Sequence, residues 1–269
     1  MIRVFAICLL HLILPMQGIS QQTFLLAGQS NATGQGDKLA SNSLYHSRNA
    51  FEYDVILDSI KGLQDPSGQK WKDLEPANSG SILPAFAFSL TQKTKKPVVV
   101  ITAARGGSSC HQKAELSNYG TWDQSGNLFQ QAQEKVNAAL KITKSNLSGI
   151  IWMQGERDAN AINDGIMNAE NYKQALVSLI SRFSKEFGEN IPFFIIQTGY
   201  QSGRPKFGND QVRAMQTLVS KEMPQVFIAY DKTSQFMEQN WMKDHVHYNQ
   251  TGLNEIGIEV SNFVSTVLH

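Results

Sequence analysis

Cysteine is nearly missing from this chain: its 269 residues hold only Cys8 and Cys110. That scarcity excludes a disulfide framework and any thiolate metal site. An excess of one charge is missing as well. Lys and Arg total 24 against 23 Asp and Glu, a formal net charge of +1, and the two signs are interspersed. With no basic stripe to neutralise phosphates, nucleic acid is not an expected partner. The six histidines include no H-E-x-x-H, so neither a metal nor any other cofactor is expected. No repeat, low-complexity tract or linker divides the sequence. Its 41% hydrophobic content fits one domain with a sizeable core.

Long apolar runs are also lacking, apart from the beginning. Met1-Ile2-Arg3 is a short basic start, Val4 to Met16 is almost unbroken apolar sequence, and Gly18-Ile19-Ser20 supplies small residues for cleavage. This tripartite pattern predicts a signal peptide over residues 1–20 and a single domain over 21–269. The run is short for a bilayer span and contains His11 and Pro15. A secreted or periplasmic protein without a stable membrane anchor after cleavage is the expectation. Cys8 would leave with the signal. Cys110, with no spaced base beside it, reads as a small buried or half-buried residue rather than a nucleophile.

What is present is a series of short apolar strands that each stop on a polar turn. Phe24-Leu25-Leu26-Ala27 breaks at Gly28-Gln29-Ser30-Asn31, where glycine allows the chain to bend and a serine is presented. Residues 37–80 lack a sustained period, apart from a possible short strand over Tyr53 to Leu57, and read as a long loop forming part of a substrate cleft. Ser81 and Pro84 open a helix running to about Thr91. Pro97 to Ala103 is β-branched and apolar on both faces, as a buried parallel strand is, and ends in Ala104-Arg105-Gly106-Gly107. A helix over Leu128 to Ile142 leads to the strand Gly149 to Met153, ending in Gln154-Gly155-Glu156. Helices from about Ala169 to Phe187 and Asp210 to Lys221 alternate with strands Pro192 to Thr198 and Val226 to Tyr230, and a last helix follows Gly252. Five alternations predict an α/β fold, a three-layer α/β/α sandwich with a five-stranded parallel sheet. Ligands in such sheets bind beyond the carboxyl ends of the strands.

The polar motifs fall there in the predicted order: Ser30, Gly106-Gly107, Gln154-Gly155-Glu156, and Asp244-His245-Val246-His247 before the last helix. Together they supply a nucleophile, a base with an orienting carboxylate, and oxyanion donors, the parts of an acyl-transfer site. Each has a plainer alternative. Serine favours turns, His247 could cap a helix, and His245 competes with it as base. Glu156 and Asp158 are either a second carboxylate set near the histidine or ion-pair partners for Arg105 and Arg157. Trp122 and Tyr200 either stack on a sugar or belong to the core.

Gly28-Gln29-Ser30-Asn31, Arg105-Gly106-Gly107-Ser108, Trp152-Met153-Gln154-Gly155-Glu156 with Asp158, and Asp244-His245-Val246-His247 with Asn249 and Gly252 resemble the successive blocks of SGNH hydrolases. The branch resembled is the sialate O-acetylesterase and acetylxylan esterase group, carbohydrate esterase family six, over essentially the whole chain after residue 20. The resemblance implies a flavodoxin-like fold and a serine esterase that removes acetyl groups from an acetylated carbohydrate. It implies Ser30 as nucleophile, His247 as base and Asp244 as its orienting acid. It further implies an oxyanion hole from the backbone of Ser30 and Gly107 and the side-chain amide of Gln154. Asn31, Arg105, Glu156, Trp122 and Tyr200 are the candidate substrate contacts. Ala32, where the family pattern suggests methionine, and Arg157, where smaller polar residues are usual, are expected to reshape the pocket.

Overall fold

The computed structural model describes residues 21–116 and 118–268. The predicted signal over residues 1–20 lies outside them. In chain order the elements are β1 (Gln22–Gly28), α1 (Ser30–Thr33), α2 (Lys38–Leu44), β2 (Ala50–Asp54), β3 (Ser59–Gly62), α3 (Leu83–Thr94) and β4 (Val98–Ala104). Then come α4 (Leu128–Thr143), β5 (Leu147–Met153), α5 (Glu156–Asn163), α6 (Ala169–Phe187), β6 (Phe193–Ile196), α7 (Phe207–Glu222), β7 (Val226–Tyr230) and α8 (Gln250–Val267).

The strands form one sheet in the order β3-β2-β4-β1-β5-β6-β7, parallel throughout except for β3, which runs antiparallel to β2. The α/β sandwich expected from the alternation is present, with seven strands in place of five. The two additional strands lie in the segment read as a loop: β2 overlaps the possible short strand Tyr53 to Leu57 only at Tyr53 and Asp54, and β3 has no counterpart among the expected strands. Their cores are masked by charge: Glu52 and Asp54 are buried in β2, where Gly68 N–H donates to Glu52 and Lys61 lies 3.3 Å from Asp54. A strand carrying buried carboxylates does not read as apolar alternation.

Period-two alternation divides the core. Leu25 and Ala27 of β1 face one layer with Trp122, Trp152, Tyr172 and the inner faces of α4, α6 and α7. Phe24 and Leu26 face the other layer with α3 and α8, where the Phe24 and Phe86 rings meet edge to face at 5.2 Å. Helices α4 and α6 begin where their apolar spacing begins, and Asn168 caps α6 by accepting from Asn171 N–H. Among the described residues no helix is long and apolar enough to cross a membrane.

Register then sets the site. Gly28, the last residue of β1, pairs with Ala104 at the end of β4 and with Met153 at the end of β5. Three strands therefore stop at one level, and the three polar turns that follow them emerge side by side.

Candidate active site

The elbow after β1 depends on glycine. Gly28 has φ +145°, and a Cβ there would lie 2.0 Å from the Met153 carbonyl oxygen, so no larger residue fits between β1 and β5. Gln29 N–H donates to that same carbonyl, and the Gln29 side chain accepts from the Gly155 and Arg157 amides. Ser30 follows as the first residue of α1 and opens onto a pocket of about 400 Å³. Gly107 lies opposite, with φ +72°, its Cα packed so closely on the Tyr119 ring that a Cβ would sit 2.6 Å from Cδ1. The backbone N–H groups of Ser30 and Gly107 donate to nothing among the described residues.

The histidine comes from the turn before α8. His247 Nδ1 lies 2.7 Å from Asp244 Oδ2, while Asp244 Oδ1 accepts from the amides of Val246 and His247. Partial burial pushes the Asp244 carboxyl up, but those two amides and the His247 ring outweigh it and bring its pKa down to about 2. An ionised Asp244 fixes the proton on Nδ1 and leaves Nε2 as the acceptor. Ser30, Gly107 and His247 share the pocket wall. His245, the rival base, also lines it, but the Asp244 contact goes to His247.

Asn31 does not line the pocket and is placed as a clamp. It is buried, donates to Glu156 Oε1 at 2.8 Å and to the Val246 carbonyl at 3.2 Å, and accepts from Tyr248 N–H. One side chain thereby ties the serine elbow to α5 and to the histidine turn. Glu156 lies on the pocket wall with Oε2 buried and unpaired. Burial raises its pKa against the lowering effects of the Asn31 hydrogen bond and the His247 charge.

Other expectations are corrected. Gln154 does not line the pocket: its Nε2 donates to Asp158 Oδ2 at 2.6 Å and to the Ser108 carbonyl at 3.4 Å, so both amide hydrogens are committed. Glu156 and Asp158 do not pair with Arg105 or Arg157. Fully buried Asp158 accepts from Cys110 N–H, His111 N–H and Gln154; burial still lifts its pKa to about 6. Arg105 pairs with Glu75 and donates to the Asn118 carbonyl, behind the Gly106-Gly107 turn rather than in the pocket. Glu75 also accepts from Gly106 N–H at 2.8 Å, so it holds the turn from two sides.

Neither aromatic candidate reaches the pocket. Trp122 is fully buried, edge to face with Trp152, and donates from Nε1 to Ser108. Tyr200 donates to Asp210 under the Lys206 ammonium. Ala32 packs in the core beside Gly28, while Arg157 does line the pocket, its Nε donating to the Ala114 carbonyl at 2.6 Å. No residue of 37–80 lines this pocket, so that segment is not its wall. Tyr119, Leu116, Asn160 and Gln201 are the members missed. Leu116, Tyr119 and Gln201 come from turns with no local signature, and Asn160 from α5. Among the described residues no cluster of His, Cys, Asp or Glu is suited to hold a metal ion.

The sequence matches the family described as "Carbohydrate esterase, sialic acid-specific acetylesterase" over residues 20–265. No curated protein sequence matches it. Among solved structures it is similar to a protein from Arabidopsis thaliana (16% identity, 93% of this chain and 99% of that one, TM-score 0.69). It is also similar to NanS (14% identity, 93% and 97%, TM-score 0.61). A carbohydrate acetylesterase from Xanthomonas citri is similar at 19% identity over 91% of this chain and 57% of that one, with TM-score 0.58.

Proposed function

Since the chain belongs to the sialic acid-specific acetylesterase family of carbohydrate esterases, in the SGNH branch, we propose that it is a serine esterase cleaving O-acetyl groups from a carbohydrate through an acyl-enzyme. The observation that carries this reading is the Asp244–His247 couple facing the same pocket as the Ser30 elbow. Ser30 Oγ attacks the acetyl carbonyl carbon while His247 Nε2 takes its proton, and Asp244 stabilises the imidazolium that forms. The negative charge on the former carbonyl oxygen falls to the Ser30 and Gly107 amides, which have no other partner among the described residues. Collapse of this intermediate expels the sugar oxygen, which takes the proton from His247. Water then enters, gives a proton to His247 and attacks the acetyl-serine; acetate leaves and Ser30 recovers its proton. The cycle needs no cofactor.

In this reading Gln154 is a buttress. Through Asp158 it fastens the amides of Cys110 and His111, which continue the Gly107 turn. Residues 1–20 would act as an export signal, with the remainder folding as one domain. The N-terminus of the exported protein, read by mass spectrometry, is then expected close to Gln21.

The direct test is acetate release from an aryl acetate, O-acetylated xylan and O-acetylated sialic acid, by the mature chain and by Ser30→Ala. Hydrolysis lost with Ser30 supports the esterase. A folded chain that binds glycans but hydrolyses none of these would make it a binding protein on an esterase scaffold.

A further inference from the structure

A second cavity of about 350 Å³ lies against the back of the Gly106-Gly107 turn, within the roughly 300–1,000 Å³ range of small-molecule sites. Tyr119 lines both cavities, and Arg105, two residues before Gly107, lines the second. Tyr119 is 46% exposed, unusual for an aromatic residue whose ring packs on glycine backbone. The two spaces thus meet across one half-open aromatic face. Asp73, Glu115, Asn118 and Asn127 also line the second cavity. The Glu115 and Asn127 side chains bond no other described residue, and Asn127 sits at the start of α4 without capping it.

The charges indicate what can occupy this space. Arg105 is already paired with Glu75, so the lining carries two carboxylates, Glu115 without a partner among the described residues and Asp73 with its Oδ2 accepting from Gln131 Nε2 at 2.6 Å. A carboxylate ligand would meet like charge, whereas a neutral sugar offers hydroxyl donors to these acceptors and a C–H face to Tyr119. We propose that this cavity is a second glycan subsite, which binds an uncharged sugar residue next to the acetylated one, so that the preferred substrate is a neutral acetylated oligosaccharide rather than free O-acetylated sialic acid. The proposal deepens the esterase reading and rests on it for the position of the acetylated sugar.

Binding can be measured apart from turnover. Titration calorimetry of the Ser30→Ala chain would compare O-acetylated xylotetraose, an O-acetylated methyl xyloside and O-acetylated sialic acid. The tetraose is expected to bind about tenfold more tightly than the monosaccharide, the equivalent of ~1.4 kcal/mol. Adding Glu115→Ala with Asn127→Ala should remove that margin while leaving monosaccharide affinity and the thermal midpoint in place, because both side chains are exposed and free of partners among the described residues. Equal affinity for tetraose and monosaccharide, or a margin that survives the double change, overturns the subsite. So does an equal loss of affinity for O-acetylated sialic acid in the double variant. Failure of the esterase reading would show separately, as no aryl acetate hydrolysis by the chain that retains Ser30.

Discussion

Asp244 and Asp158 show how one residue type is set to two tasks by its surroundings. Asp244 accepts two backbone amides and the His247 ring, and stays ionised well below neutral pH. Replacing it by Asn keeps the shape but removes the charge that holds the imidazolium and its tautomer. Asp244→Asn is therefore expected to lower kcat about a thousandfold or more with little change in KM, read from initial rates on an aryl acetate. Asp158 is sealed in the core, and burial raises its pKa to about 6 despite three hydrogen bonds. In the unfolded chain it would titrate near the ordinary carboxylate value of about 4. Between those two values the folded state binds more protons than the unfolded one, so this group's contribution to stability is present at low pH and is lost as pH rises through 6. Urea unfolding from pH 4 to pH 7 should show the stability difference between Asp158→Asn and the parent shifting in the variant's favour as pH rises. A difference that stays constant would contradict the assignment.

At the scale of elements, the site is held by side chains that cross between strand ends. Asn31 joins α1, α5 and the turn before α8, and its loss would strand buried Glu156 and the Tyr248 amide. Asn31→Ala is expected to cost about 2–4 kcal/mol in chemical unfolding, the size of such orphaned buried groups. Glu75 acts differently. Its side chain is partly exposed, so it contributes little to stability, but it fixes the Gly106-Gly107 turn through Gly106 N–H and Arg105. Glu75→Ala should leave the thermal midpoint near the parent's and reduce kcat about tenfold or more, because a misplaced oxyanion donor costs rate rather than fold.

Over the whole molecule, the parts legible in sequence are those encoded by neighbours in the chain. The β-branched run of β4, the 3.6-residue spacing of α4 and α6, and the four polar blocks could each be read locally, and parallel register brought three of those blocks to one edge. The edge strand β3, and β2 apart from its Tyr53–Asp54 end, were hidden because Glu52 and Asp54 are buried by partners outside β2, Gly68 and Lys61. Tyr119 and Glu75 were hidden for a related reason: each earns its place through contact with the Gly106-Gly107 turn, which no periodicity encodes. The role expected of Gln154 rested on a motif that names a residue, whereas its hydrogen bonds to Asp158 and Ser108 decide which way the amide faces.

Brief mixing of the chain with an aryl acetate, followed by acid quenching and peptide mass mapping, tests the chemistry most directly. The peptide containing Ser30 should gain one acetyl group at the rate of the first turnover, and Ser30→Ala should gain none and release no acetate. Turnover without acetylation of that peptide, or turnover that survives Ser30→Ala, would contradict a Ser30 acyl-enzyme.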